Sequence, residues 1–431
     1  MRRIKQSHLS LPTIICVFFI LSNTYAQLNV DAQLRPRFEY RHGYKTLFPN
    51  NVDPATFISQ RTRLNTEYAI EKLRFYLSIQ DVRVWGDVPQ LNTSDNNDLG
   101  IHQAWGEVLF TPQWALKVGR QEIVYDDHRI FGNVGWAQQA RSHDAALLKY
   151  KKDRFNIDLG VAYNQDAENL TGNVLTTNTY KFLQYVWVHK DWQEFNLSLL
   201  FLNNGLQYIN EDDENINETR YSYTTGSHLN FKKGNLNLVG NLYYQFGQDK
   251  SKNDLSAYLV ALEGNYKLSS KVTTGLGVEL QSGNENGEPS DGKNKAFTPL
   301  YGTNHKFNGL MDYFYVGNHA NNVGLLDMYV KTKVSINAKN TLNLAAHNFM
   351  AAADISGSDS KQLGTEIDFV YSYSFSKQVN FKLGYSQMFA SEGLEIVKNN
   401  FDSNTNNWGW VMVTISPTLF RSESTNKQPI N

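Results

Sequence analysis

The stretch Phe155-Asn156-Ile157-Asp158-Leu159-Gly160-Val161-Ala162-Tyr163 alternates large apolar residues with polar or small ones. A period of two sends successive side chains to opposite faces of an extended chain, so one face is apolar and the other is not. The same pattern runs through Leu64-Asn65-Thr66-Glu67-Tyr68-Ala69-Ile70 and recurs at 236–244 and 367–373. About 18 such segments follow one another, starting near residues 28, 58, 72, 99, 114, 141, 154, 177, 194, 219, 235, 255, 271, 325, 340, 362, 378 and 407. Each is close to the roughly ten residues that a tilted strand needs to cross a bilayer. No stretch keeps a helical period over three turns.

The connections carry as much information as the strands. Very short turns fall near 70–72, 111–113, 152–154, 190–192, 232–234, 269–271, 337–340 and 376–378. Between them lie longer loops rich in Asn, Asp, Gly and Ser, including 42–57, 86–98, 121–140, 203–218, 283–324 and 391–406. A soluble sandwich has no reason to alternate short and long connections. A transmembrane barrel has one: short periplasmic turns, long outer loops and no open sheet edge. The expected fold is therefore all-β, a transmembrane antiparallel β-barrel of about 18 strands.

Composition agrees. The chain is 13% aromatic and only 19% charged, yet its mean hydropathy is −0.47. That average is what a sheet with one lipid face and one wet face produces. Beyond the N-terminus no apolar run reaches the roughly 20 residues of a membrane helix. A formal charge of −1 gives no reason to expect nucleic acid as a partner.

Arg2, Arg3 and Lys5 precede an apolar run over 11–21 and then Thr24-Tyr25-Ala26, the order of a secretory signal peptide. Residues 1–26 are read as that signal, 27–420 as the barrel and 421–431 as a polar C-terminal tail. Cleavage removes three cations and no acid, moving the formal charge from −1 to −4, and takes Cys16 with it. The mature chain then has neither a disulfide nor a thiolate available.

Parity assigns the faces. On the first segment Leu34, Pro36, Phe38 and Tyr40 point to lipid, so Arg35, Arg37, Glu39 and Arg41 point into the lumen. On the second, Arg61, Arg63, Asn65 and Glu67 point in. On the third, Arg74, Tyr76, Ser78 and Gln80 do. Later strands add Asp158, Glu279, Asp327, Lys331, Lys333, Glu366, Asp368 and Lys382 to the lumen. Tyr163, Tyr180, Trp187, Trp192, Tyr243, Tyr244, Phe246, Tyr371, Tyr373, Phe375, Trp408 and Trp410 stand near segment ends, where interfacial girdles are expected. Arginine is unevenly spread: 11 of the 13 in the mature chain lie between Arg35 and Arg154. Its planar, permanently charged fork matches carboxylates, so a wall lined with it suits an acidic solute. Pairing with Glu39, Glu67 and Glu107 is the competing role for these arginines.

The run from Val118-Gly119-Arg120-Gln121 through Asp127-His128-Arg129-Ile130-Phe131-Gly132 to Trp136, followed by Arg141-Ser142-His143-Asp144-Ala145, resembles a signature of the alginate-export family of outer-membrane porins. Gln60-Arg61-Thr62-Arg63-Leu64 is similar to an early strand motif of that family, and Gly309-Leu310-Met311-Asp312-Tyr313-Phe314 to a late loop. The resemblance implies an 18-stranded monomer whose arginine-rich constriction passes an anionic uronate polymer. By position that role falls on Arg61, Arg63, Arg120, Arg129 and Arg141, with Asp144 orienting an arginine. Parity adds Arg37 and Arg74 to the substrate path. Phe420 fits the aromatic end expected of the last strand, although the chain runs on to Asn431 and Pro417 sits within that strand.

No nucleophile elbow, P-loop, dinucleotide fingerprint or metal-spaced His pair is present, so no enzyme, cofactor or metal is expected. Asp126-Asp127 and Asp212-Asp213-Glu214 offer calcium only if they are more than solvated loops. These readings converge on one expectation: a bacterial outer-membrane channel for diffusion of an anionic polysaccharide or oligosaccharide. A general small-anion porin is the alternative, and an outer-membrane hydrolase a more distant one. The 283–324 loop is the candidate plug.

Overall fold

Alternation is realised as sheet along nearly the whole chain. The computed structural model describes residues 26–91, 99–210, 213, 216–319, 322–402 and 404–422. Most of the signal segment, Asp212 and Glu214 of the acidic run, and the tail from 423 onward lie outside the described residues. The strands are β1 (Gln27–His42), β2 (Ala55–Ile70), β3 (Leu73–Val84), β4 (Gly100–Leu109), β5 (Trp114–Gln121), β6 (His143–Lys152) and β7 (Phe155–Tyr163). They continue as β8 (Tyr180–Asp191), β9 (Phe195–Ile209), β10 (Asn217–Lys233), β11 (Leu236–Gln248), β12 (Asp254–Lys267) and β13 (Val272–Gln281). After β14 (Lys293–Asn294) come β15 (Leu325–Ser335), β16 (Asn340–Met350), β17 (Gln362–Ser374), β18 (Val379–Ala390), β19 (Asn406–Ile415) and β20 (Thr418–Arg421).

Eighteen of these make one antiparallel wall. Each pairs with its neighbour in the chain, β13 passing directly to β15, and β1 pairs with both β2 and β19, which closes the barrel. The two-residue β14 is an inner addition beside β12. Pro417 explains β20: lacking an N–H, it interrupts the last strand, and Thr418–Arg421 resumes pairing on β1. The Pro417 carbonyl accepts from the Ala32 amide at 3.0 Å, so the break is itself tied to the wall. Strand β1 starts, and β20 ends, at the short-turn end, as periplasmic termini require.

Side-chain direction follows the predicted parity. Phe75, Val161, Leu199, Leu242 and Val260 stand open on the outer face, while Arg35, Arg37, Arg61, Asp158, Glu279, Asp327, Glu366 and Asp368 are buried inside. Two departures matter. The segment 203–218 is mostly strand: β9 and β10 stay in register out to Ile209 opposite Asn217, leaving a connection of only a few residues. The girdle also loses several members. Tyr163, Trp192, Tyr244 and Phe375 are exposed on the outside, but Tyr180, Tyr243, Trp408 and Trp410 are buried and Trp187 turns inward. Trp187, Tyr243, Trp408 and Trp410 have the inward parity, an irregularity between Tyr180 and Phe182 turns Tyr180 in as well, and loops folded into the lumen give them apolar partners.

Two apolar clusters fill the lumen between wall and loops. One packs Ile123, Ile130, Phe131 and Phe297 against inward residues such as Leu183, Leu202 and Leu259. The other packs Met311, Tyr313 and Phe314 against Phe349, Met388 and Trp408. At these two clusters the inner face of the wall is apolar and seats the loops.

Candidate functional site

At Gln121 the chain leaves the wall and crosses the lumen before rejoining it at His143. Asp126, His128, Val134 and Ala140 hold left-handed backbone in this crossing loop, at φ of 52°, 73°, 50° and 56°. Each costs about 1–2 kcal/mol in an L-residue, so contacts along the loop must impose the shape. Those contacts reach strands on both sides of the barrel, from β8–β13 to β19, β1 and β2. Asp126 accepts from Trp187 Nε1 at 3.0 Å and from the Ser198 hydroxyl. Asp127 accepts from Asn241 Nδ2 at 2.7 Å. Arg129 forms a buried ion pair with Glu279 of β13 and donates to Asn308 Oδ1 at 3.1 Å. Trp136 lies under the Arg37 guanidinium at 3.9 Å and against the Trp410 ring at 4.8 Å. Gln138 donates to Ser59 Oγ at 3.0 Å. The acidic pair Asp126-Asp127 therefore braces the loop against β8–β11 and is not a solvated turn.

The predicted plug, 283–324, folds in as expected, but it shares the task with 122–142. The two are laced together by Gly132 N–H to Tyr301 O and Thr303 N–H to His128 O, both 2.9 Å. Gly302 is packed so tightly on the Arg129 backbone that a Cβ there would overlap its carbonyl oxygen. Gly309, at φ +82°, lies against the Glu366 carboxylate, where the Met311 amide donates to Oε1 at 2.8 Å. Asp312 accepts from Tyr44 Oη at 2.5 Å and pairs with His305 at 2.8 Å. Burial alone would push its carboxyl up, but His305 and Tyr44 outweigh that and hold it below the usual carboxylate range. Lys398, from the outer loop after β18, donates to the carbonyls of Tyr313 and Asn318, each at 2.8 Å.

The arginines divide into two sets. Arg37 pairs with Glu39, Arg74 with Glu67 and Glu107, Arg120 with Asp144, and Arg129 with Glu279. Their charge is answered within the protein. Arg61 instead donates to Gln33 Oε1 at 2.6 Å and to the Gln138 carbonyl at 3.2 Å. Arg63 donates to Gln80 Oε1 at 2.8 Å, and Arg141 to the Gly302 carbonyl at 3.2 Å. Arg35, an inward position not assigned to the path from sequence, is wrapped by the carbonyls of Gly135, Trp136 and Ala137 and the Gln138 side chain. Among the described residues none of these four has a carboxylate within ion-pair distance. Arg63 feels the charge of Glu122 without bonding to it, and the Glu122 oxygens are held by His102 at 2.7 Å and Asn133 at 2.9 Å.

The site residues do not form one ring. Arg35, Arg61 and Arg63 lie together on β1 and β2 beside the crossing loop. Arg74 lies near the short-turn end, next to Lys117 and Lys149 on the inner wall. Arg120 and Asp144 stand at the opposite end, on the outward parity of β5 and β6, and line with Arg141, Tyr301 and Tyr315 an open cavity of about 1020 Å³. Burial moves the Arg141 guanidinium below its usual pKa, and the groups that oppose this are Tyr315, Tyr301 and Tyr180. Lys306, not singled out from sequence, reaches back to the Asp127 carbonyl at 2.7 Å and adds a cation to the loops. Nothing in its local pattern sets it apart, because its position depends on how two distant loops meet. Among the described residues no group of three or more His, Cys, Asp or Glu side chains is placed to hold a metal.

A closed 18-stranded barrel with a lipid-facing apolar surface, short turns at one end, and loops folded into a charged lumen defines an outer-membrane channel of the porin type. The family model described as alginate export matches residues 26–408, and the chain belongs to that family. Solved porins share the fold. OccAB4 of Acinetobacter baumannii is 11% identical, aligned over 92% of this chain and 99% of its own, with a TM-score of 0.62. OpdO of Pseudomonas aeruginosa is 13% identical over 91% of this chain and 98% of its own, with a TM-score of 0.60. At such identities the likeness is one of fold. No curated protein sequence matches the chain.

Proposed function

We propose that this channel conducts an anionic saccharide, a uronate polymer or oligomer, by diffusion past the arginines of the lumen. The observation that carries this reading is the set Arg35, Arg61, Arg63 and Arg141, whose guanidinium groups are held in place by neutral carbonyl and amide oxygens. Neutral acceptors orient a guanidinium without cancelling its charge, so the field left in the lumen favours carboxylates. Arg63 and Arg141 are the more accessible of the four, and Arg35 and Arg61 set the potential from behind them. Several weak sites along a path serve transit better than one tight site. Membership of a family described as alginate export is consistent with a carboxylate-bearing polysaccharide as the solute.

Planar-bilayer recording tests this directly. The purified barrel is expected to prefer anions, and oligouronates are expected to interrupt the current where neutral oligosaccharides of equal length do not. Cation preference in the intact protein would overturn the reading. Anion preference with no distinction between oligouronate and small anions would leave a general anion porin instead.

A further inference from the structure

The outer surface at the short-turn end is not uniform. Lys152 closes β6, and Phe155 opens β7 directly opposite it in the register. Phe155 in turn faces Lys190 of β8. All three share the lipid-facing parity of Leu148, Leu159 and Val186. The Lys190 ammonium lies 5.9 Å from the Phe155 ring, and Trp192 packs on Phe195 at 5.5 Å. Arg154 projects from the exposed turn between Lys152 and Phe155. One strand further, Lys233 is answered by Glu194 at 3.5 Å. Lys152, Arg154 and Lys190 have no ion pair among the described residues. This is a belt of three cations without an ion pair, beside the exposed Trp192 and the half-buried Phe155, at the level where strand ends meet the membrane interface.

We infer that this patch on β6–β8 binds the headgroup of an anionic phospholipid of the periplasmic leaflet. Position selects the occupant. The side chains point away from the lumen, so a polymer in transit does not meet them, whereas a bilayer surrounds them. The phosphodiester accepts from the Lys152, Arg154 and Lys190 donors, the interfacial rings of Trp192 and Phe155 pack on the glycerol and upper acyl region, and the lysine stems snorkel along the same surface. A zwitterionic lipid presents the same phosphate but adds an ammonium that these cations repel, so the patch discriminates by headgroup charge.

The test uses the intact barrel in detergent with equimolar phosphatidylglycerol and phosphatidylethanolamine, read by native mass spectrometry. Three interfacial cations predict a preference for phosphatidylglycerol on the order of tenfold or more at low salt, declining as salt is raised. The K152Q/R154Q/K190Q protein is expected to lose that preference, while K152R/K190R retains it, as does K339Q/K377Q, which removes as exposed a pair of cations from short turns elsewhere on the same rim. Heat-modifiable migration in each variant shows that the barrel is folded. Equal retention of the two lipids by the unmodified protein overturns the proposal, as does undiminished preference in the triple variant. Displacement of the lipid by oligouronate would assign the patch to polysaccharide instead.

Discussion

Arg61 and Arg63 stand two residues apart on one face of β2, yet different amounts of structure rest on them. Arg61 is 5% exposed and holds the Gln138 carbonyl of the crossing loop, so Arg61→Gln strands a buried acceptor at a cost of about 1–3 kcal/mol. Arg63 is half-buried and its bonds are to a glutamine side chain and a distant carbonyl. Arg63→Gln is therefore expected to lower anion preference, read as a shift in reversal potential, with little change in thermal unfolding. Arg61→Gln is expected to lower both. If the two variants are indistinguishable in stability, the division between supporting and field-bearing arginines is wrong. Arg129→Met tests the paired set: it leaves the Glu279 carboxylate buried without its cation, at about 3–5 kcal/mol, and is expected to lower the unfolding temperature and make the open current noisier. Arg129, in a loop, was reached only through the family resemblance, whereas the facing direction of Arg61 and Arg63 was readable from parity alone. Which of them carry free charge was not, because the acid that answers Arg129 lies 150 residues away and nothing local marks the pairing.

At the scale of the element, the crossing loop and the outer helix α1 (Glu392–Lys398) hold the lumen loops in place. Trp136→Ala removes a ring packed by Arg37, Trp410 and His305 and is expected to cost about 3–5 kcal/mol locally, loosening 133–141 and raising conductance. Unchanged conductance would mean the loop is held without it. Helix α1 is only seven residues long, so its packing and the Lys398 clamp must stabilise it. Burial lowers the Lys398 ammonium to about 8, against 10.5 for a free lysine. The docked loop thus favours the neutral amine: docking is weakest below pH 8 and strengthens as pH rises from about 8 towards 10.5. A spin label at exposed Glu392 should accordingly become less mobile over that window, and Lys398→Met should abolish the dependence. Mobility that instead rises with pH contradicts the assignment. The strands could be located from alternation because one face meets lipid. The folding of 122–142 was hidden because its anchors, Trp187, Asn241 and Glu279, look in sequence like ordinary strand residues. The expectation of a loop over 203–218 misses for a related reason: Asn203, Asn204 and Gly205 resemble turn residues, but they continue β9, with Asn204 on the inner wall and Gly205 packed tightly beneath Tyr221.

Across the whole molecule the charges separate by end. The eight short turns, taken with two strand residues on each side, carry twelve lysines and arginines against four acids. The connections at the other end run acidic, with Asp166 and Glu168, Asp354 and Asp359, and Glu392, Glu395 and Asp402. The net charge near zero conceals this, since it sums two opposed rims. A cationic mouth raises the local concentration of a polyanion and its rate of capture, whereas an acidic mouth lowers both. The lumen binding sites are the same from either side, so the asymmetry should lie in arrival and not in departure. Oligouronate added at the short-turn side is expected to block the current at a higher on-rate than the same concentration added at the loop side, with equal dwell times. Raising the salt to about 1 M shortens the screening length to about 3 Å and should bring the two on-rates together. Faster block from the loop side would mean that capture is governed by the arginines around the 1020 Å³ cavity and not by the rim. Dwell times that differ between sides would mean instead that the two mouths lead to different sites.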